Sequence, residues 1–326
     1  MISRRTWDRF RRALVGGLAL VTAGSFFNET AWWLDLLADF KTQFALLATL
    51  LFLAAATRRR WKEAALVLAL LAVNGIPLAP YLAPAPENQT AVKAEGAAGN
   101  GPVTMKVIGF NLDVHNTDTA PTLDFLRREN ADVVVLSEIT EAWRKALEPL
   151  SDIYPHRFFG PLYRPPGYPP HTMGLFSKRA WEETGVEWSD ISSRAYAIWA
   201  RFPAASPGLT VAGVHLNNPV LMPISYQQAE ARALVAAVKR FDGPVVLAGD
   251  FNMTPFSHRL GTLLRKSNLR RPAGGLNATR PALLTPLGLS LDHILVGSGV
   301  RRAAMRTGPR LGSDHLPVVG TFDLGE

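Results

Sequence analysis

Acids, amides and imidazoles stand at the ends of several apolar runs in this 326-residue chain. In "VVLAGDFNMTP" (245–255) a strand-like run closes on Asp250 and Asn252. Alternation along extended backbone points those two side chains the same way. "FNLD" brings Asn111 and Asp113, "LSE" brings Glu138, "GVHLNN" brings His215, "LDHIL" opens on Asp292, and "GSDH" brings Asp314 and His315. Each alone has a plain structural reading: an Asx-turn for the Asp and Asn pairs, a helix cap for Glu138, a loop histidine for His215. Together they match one chemistry, the attack of water on a phosphate ester. A phosphodiester is anionic and repels nucleophiles, so acids must hold a divalent cation that neutralises it. Glu138 is the natural ligand, with Asn111 or Asp113 alongside. An acid such as Asp250 can orient or deprotonate the water, an amide such as Asn252 can position it, and His215 and His315 can meet the developing charge.

Cysteine is absent, which excludes thiolate metal sites, thiol nucleophiles and a disulfide framework. Oxygen and imidazole ligation then favours Mg²⁺, with Mn²⁺ as the alternative, over Zn²⁺. The net charge of +8 divides evenly, 11 − 7 = +4 for residues 1–99 and 24 − 20 = +4 for residues 100–326, so the C-terminal part is only mildly basic.

The elements that must position these side chains are of two kinds. From residue 104 onward, runs such as "TMKVIGFN", "ADVVVLSE", "LTVAGVHL", "GPVVLAGDFN" and "LPVVGTF" have strand length and β-branched character. Between them "TAPTLDFLRREN" and "SYQQAEARALVAAVKRF" show helical spacing. This is a mixed α/β domain, and strand tips in such folds converge on one edge where ligands bind.

Residues 1–83 read as a membrane domain. "ALVGGLALVTAGSFF" (13–27), "TQFALLATLLFLAAAT" (42–57) and "AALVLALLAVNGIPLAPYLA" (64–83) are long and apolar, and predict three transmembrane helices. Arginines precede the first segment and separate the second from the third, whereas "NETAWWLDLLADFK" between the first and second is acidic. The positive-inside rule then puts the N-terminus in the cytoplasm and everything after the third crossing outside, in a periplasmic setting. Residues 84–103, rich in Pro, Ala, Gly and polar residues, predict a flexible tether, followed by a catalytic domain over 104–326.

At "GDFN" and "SDH" the sequence resembles the endonuclease/exonuclease/phosphatase superfamily, the deoxyribonuclease-I-like fold. The resemblance runs from about Met105 to Phe322, with the motifs in the family's order. It implies a four-layer sandwich, two β-sheets packed face to face with helices outside, and a metal-dependent phosphoesterase site. It implies further that Asn111, Glu138 and Asp314 lie on the metal side, that His215 is the catalytic histidine, and that Asp250 and Asn252 handle the nucleophile. By the same resemblance Asp292 orients His315, which meets the scissile phosphate. Two positions depart from the family pattern: Ser137 precedes Glu138 where Gln is usual, and Lys178 stands where Arg is frequent.

The substrate expected is a phosphoester, most readily nucleic acid, because "HRLGTLLRKSNLRRP" (258–272) gathers Arg259, Arg265, Lys266, Arg270 and Arg271 just after the catalytic strand. A bilayer tether equally suits a phospholipid or sphingomyelin-type substrate, and an inositol-phosphate-type phosphatase is a further alternative. The competing class is a non-catalytic envelope protein that uses the fold as a binding platform. The complete set of acids, amides and imidazoles argues against it. No obligate protein partner is evident.

Overall fold

The computed structural model describes residues 4–82, 103–203, 208–272, 274–285 and 287–324. The tether expected at 84–103 lies outside the described residues except at its last position. By contact pattern the chain forms two units, Met1–Ala83 with Thr254–Gly261, and Pro84–Met253 with Thr262–Glu326.

The first unit is helical: α1 (Arg4–Gly24), α2 (Trp32–Ala38), α3 (Lys41–Thr57), α4 (Trp61–Gly75) and α5 (Ala79–Leu82). Its small core joins Val15 and Leu18 of α1 to Ala48 and Leu51 of α3 and Val67 of α4. Two helical stretches, Arg5–Phe27 and Trp61–Leu82, are long and apolar enough to cross a membrane. The middle segment is a pair, Trp32–Ala38 and Lys41–Thr57, bent by 56°, so three crossings require that this pair act as one. The acids of the loop read from sequence as merely charged are engaged within this unit. Asp35 accepts from Ser257 Oγ at 2.9 Å, His258 N at 2.6 Å and Arg259 Nε at 2.5 Å, and Asp39 accepts from Thr254 Oγ1 at 2.6 Å.

The second unit contains β1 (Val103–Asn111), α6 (Ala120–Glu129), β2 (Val133–Ile139), α7 (Glu141–Ala146), β3 (His156–Phe159), β4 (Thr172–Ser177), β5 (Glu183–Ser189), β6 (Arg194–Phe202), β7 (Leu209–His215), α8 (Ile224–Arg240), β8 (Val245–Asp250), β9 (Asp292–Val296), β10 (Val300–Thr307) and β11 (Val318–Leu324). Helix α9 (His258–Ser267) begins in the first unit and ends in this one. Six strands form one sheet in the order β10-β11-β1-β2-β4-β3, and five form the other in the order β5-β6-β7-β8-β9.

The alternation of each strand divides its side chains between two cores. Val107, Val133 and Val135 face the second sheet and meet Ile198, Val211 and Val246 there. Ile108, Val134 and Leu136 face outward, under Phe125 and Leu126 of α6 and Trp143 of α7. Two sheets packed face to face with helices outside is the sandwich expected from the sequence. Parallel pairing occurs once in each sheet, β1 with β2 and β7 with β8. The carboxyl ends of all four strands therefore reach one edge. There β9, antiparallel to β8, begins with Asp292 opposite Asp250.

Candidate active site

Glycines allow two close backbone approaches at this edge, one within the second sheet and one between the sheets. Gly249 has φ +135°, and a Cβ there would lie 2.1 Å from the Val214 carbonyl oxygen. A Cβ on Gly109 would lie 2.9 Å from Gly249 N. Only residues without a side chain allow this approach. Two residues beyond Gly109 and one beyond Gly249, the amide of Asn111 reaches the carboxylate of Asp250, Nδ2 to Oδ2, at 3.3 Å.

Glu138 is aimed by a different device. The β2–β4 register shifts between Leu136 and Ile139, and Glu138 has φ +59°. A bulge re-aims a side chain that regular pleating would place elsewhere, and the left-handed backbone is strain concentrated where function requires it. Glu138 Oε1 accepts from Asn111 Nδ2 at 2.8 Å and Oε2 accepts from Val114 N at 3.0 Å. One amide thus bridges two carboxylates. In this arrangement Asn111 presents its nitrogen to the acids while its oxygen accepts from Asp113 N at 3.0 Å, so it orients the ligands.

The Asx-turn read at "GDFN" exists, and it leaves half of the carboxylate available. Asp250 Oδ1 accepts from Asn252 N at 2.9 Å, while Oδ2 faces Asn111 and lies 3.8 Å from His315 Nε2 and 4.0 Å from His215 Nε2. Burial and then the neighbouring Asp292 push Asp250 up to about 7. Asn252, with φ +51°, donates to the Leu216 carbonyl at 2.9 Å and to Asp250 Oδ2 at 3.2 Å. Its amide fixes the acid.

His315 is buried, with Nδ1 2.8 Å from Asp292 Oδ2. Burial alone would lower its pKa, but Asp292, Asp250 and Asp314 outweigh burial and push it up to about 10. It is an imidazolium at neutral pH. His215 goes the other way, held well below its ordinary value by burial and then by Arg194. Its Nε2 is 3.6 Å from Glu138 Oε1. The cleft therefore holds one charged and one neutral imidazole.

Asp113 and Asp314 line the same cleft but are engaged locally. Asp113 Oδ1 accepts from His115 N at 2.9 Å, and Asp314 Oδ2 pairs with Arg280 Nη2 at 2.8 Å. Lys178 donates to the Asn130 carbonyl at 2.6 Å and does not line the cleft.

Several cleft residues gave no signal in the sequence: Tyr163, His171 and Arg194. Arg194 donates to the His215 carbonyl and, at 3.3 Å, to Asn217 Oδ1, and its guanidinium lies 5.4 Å from the Tyr163 ring centroid. Behind them Gln227 and Glu230 of α8 are buried. Gln227 Nε2 donates to the carbonyls of Asn217 at 2.8 Å and Asn252 at 3.0 Å, and Glu230 accepts from Asn217 N at 2.8 Å and Ser192 Oγ at 2.7 Å. Two polar residues three apart on a helix face otherwise turned to the core were the available signal.

The sequence profile of the Endonuclease/Exonuclease/phosphatase family matches residues 108–315. The chain belongs to this family. It is a metal-dependent hydrolase of phosphoester bonds. Its fold is similar to an endonuclease/exonuclease/phosphatase from Bacteroides vulgatus at TM-score 0.57 and 17% identity, covering 68% of this chain and 100% of that one. An endonuclease/exonuclease/phosphatase from Beutenbergia cavernae gives TM-score 0.53 and 20% identity over 68% of this chain and 72% of the other. A humanized D. rerio TDP2 gives 0.51 and 17% over 67% and 98%. No curated sequence matches the chain significantly.

The donor set fits a hard divalent cation. Asp250, Asp292 and His315 offer atoms within 4.8 Å of one another, and Asp292 Oδ1 is buried without a hydrogen-bond partner. Within this group Asp292 Oδ2 is engaged with His315 Nδ1 at 2.8 Å. Glu138 Oε1, oriented by Asn111 and 3.6 Å from His215 Nε2, is the acid placed to ligate. It is a carboxylate oxygen in a cleft of about 370 Å³, the ligand type that suits Mg²⁺ or Mn²⁺.

Proposed function

We propose that the chain is a membrane-tethered phosphodiesterase that uses Mg²⁺, or Mn²⁺ in its place, with the catalytic unit on the extracytoplasmic face. The observation that carries the reading is the division of labour around Asp250, a buried acid with one oxygen fixed in a turn and the other between an amide and two imidazoles of opposite charge state.

When bound, the cation neutralises the phosphate and stabilises charge on its oxygens. Glu138, oriented by Asn111, would hold it. The Asp250 carboxylate orients the attacking water and takes its proton. His315, charged and aligned by Asp292, faces the oxygen on which negative charge develops or delivers a proton to the leaving oxygen. Neutral His215 donates a hydrogen bond to a phosphoryl oxygen. Asn252 and Asn111 keep the acids in register.

Three of the five cations in the basic run after β8 are engaged within the chain, while Arg265 and Lys266 are exposed. Arg259 pairs with Asp35, Arg270 donates to the Val300 carbonyl at 2.8 Å, and Arg271 donates to the carbonyls of Gly275 at 2.8 Å and Leu276 at 2.6 Å. These cations brace loops. Within the first unit the segment bearing Asp35 and Asp39 holds Thr254–Gly261; the choice of face rests on the arginine asymmetry of the sequence.

The test is hydrolysis of bis(p-nitrophenyl) phosphate by the full chain in detergent. Release of nitrophenolate with Mg²⁺ and its loss in excess chelator is expected. Undiminished release in chelator overturns the reading.

A further inference from the structure

Nine large apolar side chains of the second unit are exposed among the described residues, and they are not scattered. Leu162 and Tyr168 lie on the β3–β4 connection, which also gives Tyr163 and His171 to the cleft. Trp188 and Ile191 lie at the β5–β6 turn, which leads into Arg194. Val220 and Leu221 lie on the β7–α8 connection beside Asn217 and Asn218, and Leu221 is itself a cleft residue. Leu283, Leu284 and Leu287 lie on the connection into β9, which supplies Arg280. Three of these four connections also give residues to the cleft wall, and the fourth runs directly into Arg194, which does. The exposed faces of α6, α7 and α8 carry none.

Single apolar residues on a surface are ordinary, but their concentration around one opening marks a surface that is covered in use. Val220 is 76% and Leu283 68% exposed, which leaves their side chains free to enter another apolar phase. Charge accompanies them. Arg164 stands exposed between Leu162 and Tyr168, and Arg310 is exposed on the β10–β11 connection that leads to Asp314. Apolar side chains interspersed with arginine suit an anionic lipid interface, where the one enters the acyl boundary and the other meets headgroup phosphates. The same chain carries helices long and apolar enough to cross a bilayer, so such an interface is within reach.

We infer that the substrate is a phosphodiester lipid presented in a bilayer, and that this apolar rim seats on the bilayer surface so that the headgroup enters the cleft. The inference rests on the phosphodiesterase reading and deepens it. Water oxygen bonds to phosphorus, one P–O ester bond breaks, the proton of the water passes to Asp250, and the departing alcohol oxygen takes a proton from His315. The products are a phosphomonoester and an alcohol, one of which remains in the membrane.

The experiment uses the full chain in detergent with Mg²⁺ and three probes: mixed micelles of phosphatidylglycerol at varied mole fraction, a double-stranded DNA oligomer, and bis(p-nitrophenyl) phosphate. Wild type is expected to hydrolyse the micellar lipid well above the DNA. The pair Val220→Ser and Leu284→Ser should raise the mole fraction for half-maximal rate about tenfold while leaving the soluble diester rate unchanged, since neither residue lines the cleft. The pair Leu162→Ser and Ile191→Ser should do the same from two other connections. Hydrolysis of the soluble diester together with DNA but not lipid overturns the inference and leaves the phosphodiesterase reading standing. So does a lipid dependence unchanged in both pairs. Failure of wild type on all three probes overturns both.

Discussion

Asp292 and His315 are joined by a 2.8 Å contact between Oδ2 and Nδ1, and both side chains are fully enclosed. The pair sits on strand β9 and on the loop before β11, which belong to different sheets. The acid does for the histidine what burial opposes: it keeps the ring charged. With Asp250 pushed up to about 7 and His315 up to about 10, the rate should rise as Asp250 loses its proton and fall as His315 loses its own. Asp292→Asn removes the largest of the charges that sustain the imidazolium. The pH–rate profile should then show the alkaline limb moved down by at least about one pH unit, and kcat at neutral pH reduced on the order of 10²-fold or more. An unmoved alkaline limb would assign it to another group.

Glu138→Gln keeps the shape of the side chain and its bond from Val114 N, and loses the charge. The Mg²⁺ concentration for half-maximal rate should rise at least about tenfold. Metal titration of the rate gives the answer, and an unchanged midpoint would remove Glu138 from the metal side.

Gly249→Ala tests the close approach of β8 to β7 on the backbone that leads into Asp250. The new Cβ would collide with the Val214 carbonyl at a φ of +135°. The expected loss is about 2 kcal/mol or more, a fall in Tm of roughly 4–8 °C for a domain of this size. A melt indistinguishable from wild type would show that β7 and β8 can part here without cost.

His293 offers a stability test away from the cleft. Its Nε2 donates to the Met253 carbonyl at 2.8 Å and its Nδ1 accepts from Arg271 Nε at 3.2 Å, so the fold holds a neutral ring. Burial and then Arg271 push it down to about 3 from an ordinary 6.5. The unfolded chain binds this proton first, so the contribution is present above 6.5 and is lost as pH falls from 6.5 toward 3. Melts across that window should show wild type losing stability more steeply than His293→Gln, which keeps a donor to Met253. Parallel slopes would contradict the assignment.

Much of this site was legible because polar residues that end apolar strands have few places to go. Asn111, Glu138, His215, Asp250 and His315 each close a strand or follow one, and the parallel pairs gather their ends. The glycine of "GDFN" carried information too, although its reason, the Val214 carbonyl, belongs to a strand more than thirty residues away in sequence. What could not be read depends on partners brought together only by folding. Arg194, Gln227 and Glu230 look like ordinary surface residues in one dimension, and the structure makes them the frame behind His215 and Asn217. Part of the basic run is engaged in ways the sequence does not show. Charge is visible in sequence, but the carbonyls and acids that engage Arg259, Arg270 and Arg271 are not. Asp113 and Asp314 line the cleft, with one oxygen of Asp113 taken by a turn and one of Asp314 by Arg280.

The central claim is that Asp250 does more than close a turn, and Asp250→Asn separates the two roles. Asn forms an Asx-turn as readily as Asp, so the contact with Asn252 N should persist and Tm should hold. Loss of the charge facing His315 removes the base. The account predicts a folded protein whose kcat on bis(p-nitrophenyl) phosphate falls on the order of 10²–10⁴-fold, about 3–5 kcal/mol of barrier. A folded Asp250→Asn enzyme keeping more than about a third of wild-type kcat lies far outside that range and would return Asp250 to a purely structural role.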